Sequence, residues 1–250
     1  MHSRRERYLI GAVLTVRVLL TLHIVWTYIK FSSDLLPWKG GTIIEATTQS
    51  IGYLPYLSLS DSDKFYQSLL FKSCLFPTFS GSSTSYYEEL CSVKTSDYKS
   101  FEVTALPGHA WADGTSFNLW DVFFTYSSLL ADNYRSIPGL ETYKNIEVAL
   151  VDSRVTVTFP QASIDNMIFF TNFILPQHLL ANTSRDDYIS KFGQSPVGTS
   201  CVHIKPTTHD TSSVVFDFES CKDIPLKYYQ VKQFPNLAAL TEYTAQHEDD

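Results

Sequence analysis

Basic residues are sparse in this chain, and no Lys/Arg cluster occurs beyond its first seven positions. With 19 Lys and Arg against 26 Asp and Glu, the net charge of −7 excludes a nucleic-acid footprint, which needs a basic face. Cys/His pairs at zinc-ligand spacing and an H-E-x-x-H helix are also missing, while His109, His178, His203 and His209 are scattered. No metal site is expected. There is no P-loop, no G-x-G-x-x-G and no G-x-S-x-G elbow, so nucleotide and serine-hydrolase chemistry have no anchor. The chain is therefore read as a non-enzyme with no cofactor. No internal repeat is visible, which excludes a solenoid.

What is present suits a folded, sheet-rich domain. Hydrophobic residues make up 44% of 250 positions and charged residues 18%, enough to bury a substantial core. Fifteen Tyr and seventeen Phe favour strands and aromatic packing.

Tyr8 to Ile29 is a mostly apolar run of a length that crosses a bilayer core of about 30 Å as a helix. Arg4, Arg5 and Arg7 precede it and Lys30 alone follows, so the positive-inside rule exports everything after Lys30. A cleaved signal peptide is the rival reading, but Thr27-Tyr28-Ile29-Lys30-Phe31 lacks the small residues of a cleavage site. The expected layout is a cytoplasmic tip and transmembrane signal anchor over 1–30, a linker over 31–39, a folded domain over 40–243 and a disordered acidic tail over 244–250. The main domain then lies on the extracytoplasmic side of a single-pass membrane protein. Cys74, Cys91, Cys201 and Cys221 all fall on that side. An even count in an oxidising compartment favours disulfides. Sequence-local pairing, Cys74 with Cys91 and Cys201 with Cys221, is the simplest of three connectivities. Four buried free thiols are the other possibility.

Along the exported part, Gly40-Gly41 opens a strand over Thr42 to Ala46, and Asp63 to Phe71 has helical spacing. Pro77 to Ser85 reads as a Ser/Gly-rich loop, followed by a strand around Glu89 to Val93. Phe101, Val103 and Ala105 alternate as a half-buried strand that Pro107-Gly108 stops. Ile146, Val148 and Leu150, a turn at Asp152-Ser153, then Val155, Val157 and Phe159 predict a hairpin. Ile164 to Leu180 reads as helical in parts and broken at Pro176, and Ser195 to Thr199 as a loop. Val202 and Ile204, then Val214, Val215, Phe216 and Phe218, predict a second antiparallel pair.

The segment from Trp111 to Tyr126 is the densest in local signals. Asp113-Gly114 is a turn dipeptide, Asn118 a good N-cap, and Asp121 sits where an acid favours the positive helix end. Leu119, Val122, Phe123, Tyr126, Leu129 and Leu130 then make one apolar helix face. Trp111, Asp113, Gly114, Phe117, Asp121 and Tyr126 are thus a structural motif.

That block also resembles the W-x-DG-x-x-F-x-x-x-DV-x-F-x-Y signature of the family 5 solute-binding proteins, the peptide receptors of ABC importers. Gly40-Gly41-Thr42, Leu69-Leu70-Phe71, Phe101-Glu102-Val103, Ile174-Leu175-Pro176-Gln177-His178 and Pro196-Val197-Gly198-Thr199 are similar, in the same order, to further segments of that family. After Thr199 the family continues Gly-Pro-Tyr, where this chain has Ser200-Cys201-Val202. The resemblance implies an α/β, periplasmic-binding-protein-like (type II) fold. It would be incomplete, with part of the first lobe plus an inserted subdomain, preceded by one transmembrane helix. It implies a membrane-anchored receptor that captures peptides for import without catalysis, with peptide ligand and ABC permease subunits as partners. It also places the ligand-approaching segment after the first strand, at Gln49, Ser50, Ile51, Gly52, Tyr53 and Leu54. The alternative is a truncated or diverged receptor scaffold, an interaction module without ligand binding.

Overall fold

The computed structural model describes residues 17, 20, 21, 23, 26, 40–57, 60–81, 83–130, 143, 145–205, 212–222 and 224–247. The chain divides into two units, Met1–Gly41 and Thr42–Asp250. Most of the apolar run from Tyr8 to Ile29, and the linker over 31–39, lie outside the described residues. Among the described residues no helix is long and apolar enough to cross a membrane.

Among its described residues the second unit contains two four-stranded sheets and a hairpin. In the first sheet β1 (Thr42–Thr47) is an edge strand, parallel to β10 (Tyr228–Gln233), which is followed by β9 (Ser213–Asp217) and β8 (His203–Lys205) in antiparallel pairing. Helix α1 (Asp61–Leu70) covers one face. There the hydroxyls of Tyr66 and Tyr229 both donate to the Glu45 carboxylate, and Tyr66 stacks on Phe216 at 5.9 Å. Burial and the Glu45 carboxylate together push both tyrosines well above the usual phenol range, so they stay protonated donors.

The second sheet has the order β4 (Cys91–Thr95), β5 (Ser100–Ala105), β7 (Arg154–Thr158), β6 (Glu147–Val151), antiparallel throughout. Alternation builds it as expected: Phe101, Val103, Val155 and Val157 are fully buried while their neighbours face outward. The turn falls at Asp152-Ser153, both with positive φ, a conformation Asp tolerates in tight hairpins. Helix α2 (Leu119–Leu129) packs on this sheet through Val122, Tyr126 and Leu129, and Tyr126 meets Phe169 at 4.9 Å and Phe170 at 5.8 Å.

Two expectations need correction. The Pro77–Ser85 loop is largely strand: β2 (Leu75–Ser80) and β3 (Ser83–Glu88) form a two-stranded hairpin turning at Gly81, whose φ is +61°. Thr78 and Ser85 bond across it, so its serines are ladder residues rather than loop residues. The segment from Ile164 is helical in parts and broken at Pro176 as expected, with a 3-10 helix to Thr171 and α3 (Gln177–Leu180) beginning after the proline. Thr244 to Gln246, expected in a tail, belong instead to α5 (Leu237–Gln246), which Asn236 caps; residues 248–250 lie outside the described residues. A short α4 (Arg185–Ser190) lies between these elements.

Both sequence-local disulfides form, Cys74–Cys91 across 17 residues and Cys201–Cys221 across 20. The first bridge clamps the base of the β2–β3 hairpin. In the chain-entropy picture each loop closure contributes about 3 kcal/mol.

Candidate functional site

The segments singled out from the sequence meet in one place. Asp121, 1% exposed, stands at the third position of α2 and completes a capping box with Asn118. Its Oδ2 accepts from Trp111 Nε1 at 3.1 Å and from the Asn118 amide at 3.0 Å, and its Oδ1 accepts from the Gln177 amide at 2.9 Å. One carboxylate therefore ties the Trp111 loop, the start of α2 and the start of α3. One turn later, Thr125 donates to the Asp121 carbonyl and accepts from the Leu175 amide. The sequence shows only the helix-end role of Asp121; the bond to residue 177 spans 56 positions and leaves no local signal.

The turn folds as expected, with Gly114 at φ +86° and Asp113 accepting from the Thr115 amide. Asp113 then reaches His178 Nε2 at 2.8 Å, joining the Trp111 block to the Ile174–His178 segment. Partial burial pushes the Asp113 carboxyl up, but hydrogen bonds from His178 and Thr115 outweigh it and hold the group below the ordinary carboxylate range. A carboxyl lowered in the folded state stabilises above its unfolded pKa near 4, and that contribution is lost as pH falls through the folded value. Melting curves between pH 7 and pH 3 are therefore expected to show the wild type losing more stability below about pH 4 than Asp113→Asn does.

Gly198 brings in the fourth segment. Its carbonyl accepts from the Ala112 amide at 2.9 Å, while the next two amides, of Thr199 and Ser200, both donate to the Leu70 carbonyl. Thr199 Oγ1 accepts from the Lys72 amide and Ser200 Oγ donates to the Leu69 carbonyl. The Ile174 amide donates to the Lys72 carbonyl, closing the circuit. This knot holds no catalytic constellation, and among the described residues no group of three His, Cys, Asp or Glu is placed to hold a metal. Its chemistry is that of a scaffold.

The candidate ligand segment lies elsewhere, at the carboxyl end of β1, where α/β sheets place their ligands. Gln49 and Ser50 are exposed and Ile51 is half-buried. The rest of the segment is tied inward. The Gly52 amide donates to Asp63 at 2.7 Å, Gln67 Nε2 donates to the Leu54 carbonyl at 3.0 Å, and the Tyr53 hydroxyl donates to the Gly193 carbonyl at 2.8 Å. A methyl group on Gly52 would lie 2.7 Å from the Asp63 carboxyl carbon, so this glycine keeps the segment pressed onto α1. A surface depression of about 360 Å³ lies on α2 and is lined by Trp120, Phe123, Phe124, Ser127, Ser128 and Gln177, none of them in the candidate segment.

No protein-family model and no curated protein sequence matches the chain. Solved structures do. The oligopeptide-binding protein AppA of Bacillus subtilis, in complex with a nonapeptide, superposes with a TM-score of 0.67 at 21% identity, over 86% of this chain and 44% of its own. The chain has the fold of the peptide-type ABC substrate-binding proteins. The substrate-binding protein CtaP of Listeria monocytogenes gives 0.67 at 19% identity, over 84% of this chain and 44% of its own. DppA of Helicobacter pylori, in complex with the peptide STSA, gives 0.62 at 16%, over 85% and 46%. The chain thus spans less than half the length of these binding proteins. The likeness read from the Trp111 block is borne out in the fold, an α/β, type II binding-protein architecture matched in part.

Proposed function

We propose that this chain is the extracytoplasmic substrate-binding component of a peptide ABC importer, which captures peptides and hands them to permease subunits without catalysis. The observation that supports this best is the shared fold with binding proteins caught holding a nonapeptide and the peptide STSA. In this reading Gln49, Ser50 and Ile51 form one wall of the peptide site. The adjoining Gly52 to Leu54 act as its support, because their polar groups are already committed to α1 and Gly193. Main-chain bonding from such a wall suits peptides of varied sequence.

Membrane anchoring through Tyr8–Ile29, with the main domain outside, belongs to the same proposal. It is supported by the preceding arginines and by two disulfides of the kind that persist in oxidising compartments.

Titration calorimetry of the full chain in detergent against a mixture of neutral three- to nine-residue peptides tests the reading. Measurable heat with a dissociation constant in the micromolar range is expected. Gln49→Ala is expected to weaken binding about tenfold, equivalent to roughly 1.4 kcal/mol, at unchanged Tm, since Gln49 is exposed. Absence of heat and of any thermal shift with every peptide would sink the reading.

A further inference from the structure

The β2–β3 hairpin carries no charge from Leu75 to Tyr87, a run of thirteen residues built from Ser, Thr, Gly, Pro, Leu, Phe and Tyr. Charge returns at its base, where Lys72 pairs with Glu89 and the Cys74–Cys91 bridge holds the strand ends together. Large aromatic side chains are nevertheless left in water. Phe76 and Tyr87 are cross-strand partners on one face, their rings 5.2 Å apart, and both are exposed. The opposite face is seated on the core by Leu75 and Tyr86, but Phe79, two pairs nearer the turn, is 77% exposed. The 3-10 helix from Ile164 to Thr171, which packs on β2, adds Ile164 and Ile168, each more than half exposed. Single exposed apolar residues are ordinary. Five on two adjoining elements, with no charge on the hairpin, mark a contact surface.

The kind of partner follows from the chemistry of the hairpin. A rigid protein surface covers one face of a two-stranded ribbon, whereas here the rings emerge on both, which suits a fluid layer that closes around them. Lys and Arg are absent, so the attraction is not to anionic groups. Several hydroxyls are already spent within the ribbon: Thr78 bonds to Ser85, and Ser83 donates to the Ser80 carbonyl at 2.8 Å. That lowers the cost of leaving bulk water. The outer-edge backbone groups still need water, which excludes the hydrocarbon core. The depth is thereby set at the headgroup level, where aromatic rings concentrate on bilayer surfaces. Such a surface is within reach. A chain anchored through Tyr8–Ile29 has only residues 30–41 between the bilayer and β1, at most about 40 Å when fully extended.

We infer that the β2–β3 hairpin is a second, reversible membrane contact, in which Phe76, Phe79 and Tyr87 seat in the headgroup layer of an uncharged lipid surface. The contact fixes the orientation of the domain over the bilayer, which a single tether does not. For proximity the inference rests on the anchoring part of the proposed function, and its test reports the two contacts separately.

Tryptophan quenching on the full chain in phosphatidylcholine vesicles provides the test. The signal added by Phe79→Trp over wild type reports the hairpin, and the signal lost in Trp26→Phe reports the apolar run. When the vesicles contain phosphatidylcholine with a nitroxide on its headgroup, the added tryptophan is expected to lose at least half of its intensity. Phe76→Ser in that background is expected to restore most of it. An added tryptophan left unquenched overturns the inference, and quenching of Trp26 in the same vesicles leaves the anchor standing. Quenching of the added tryptophan with none of Trp26 supports the hairpin contact and removes the anchor. Shielding from acrylamide without quenching by the labelled lipid overturns the inference, because a second copy would then cover the hairpin. Quenching that needs phosphatidylglycerol, or that vanishes in about 0.5 M salt, also overturns it, since an uncharged hairpin has no part in such binding.

Discussion

Gly198→Ala is expected to lower stability by about 4 kcal/mol or more, seen as a fall in Tm of roughly 10 °C or greater. A Cβ at residue 198 would lie 2.0 Å from the Leu70 carbonyl oxygen, 2.7 Å from its carbon and 3.3 Å from its Cα. All three are backbone atoms at the end of α1, so no side-chain rotation relieves the clash. Relief needs movement of a carbonyl that accepts from both Thr199 and Ser200, or of a Gly198 carbonyl that accepts from Ala112. Either shift leaves buried backbone groups unpaired, at about 1–3 kcal/mol each. Gly41→Ala is the control. A Cβ there meets nothing within 4 Å and its φ is not positive, so its Tm should stay within a degree or two of wild type. If the two variants melt alike, the close approach of Gly198 to α1 is not a structural requirement.

The contrast between these glycines separates what could be read from the sequence from what could not. Periodicity and capping are local, and they located β1, α1, β5, α2 and the β6–β7 hairpin to within a few residues. Asn118 caps α2 because its side chain and that of Asp121 lie within one helical turn. The β2–β3 hairpin was hidden by its Ser, Gly and Pro content, although serine and threonine serve well on an exposed ladder. β10 and α5 passed unread for another reason. β10 lies between two strands with helices on both faces, so Tyr228–Gln233 does not need to alternate, and no residue of α5 is buried. The meeting of the Trp111, Leu70, Ile174 and Gly198 segments rests on hydrogen bonds spanning 50 to 131 residues, which no window along the chain contains. The motif order suggested a common scaffold. The reason its glycine and aspartate are needed became visible only in three dimensions. The candidate wall at Gln49 to Leu54 divides similarly: its position after β1 was legible, but the commitment of Gly52, Tyr53 and Leu54 to α1 and Gly193 was not.

Asp121→Ala is the second large effect, expected at about 4–5 kcal/mol. Deleting the carboxylate strands three donors at once: the indole of Trp111, which is 2% exposed, and the amides of Asn118 and Gln177. At roughly 1–3 kcal/mol for each buried donor, water reaching some of them brings the sum to the lower part of that range. Loss of the capping box removes about a further 1 kcal/mol, but the Asn118 amide is part of both accounts, so the terms do not simply add. Asn118→Ala alone removes a cap and should cost only about 1 kcal/mol, which separates the hub from the helix end. Asp121→Asn should cost less than alanine, because its carbonyl oxygen can keep the bonds from Trp111 and Asn118 while its NH2 group faces only the Gln177 donor. A double-mutant cycle of Trp111→Phe with Asp121→Ala, read by urea unfolding, is expected to give a coupling of about 1–2 kcal/mol. If Asp121→Ala melts within about 1 kcal/mol of wild type, the three segments are held by packing alone. The aspartate of the Trp111 block would then be a helix cap and nothing more.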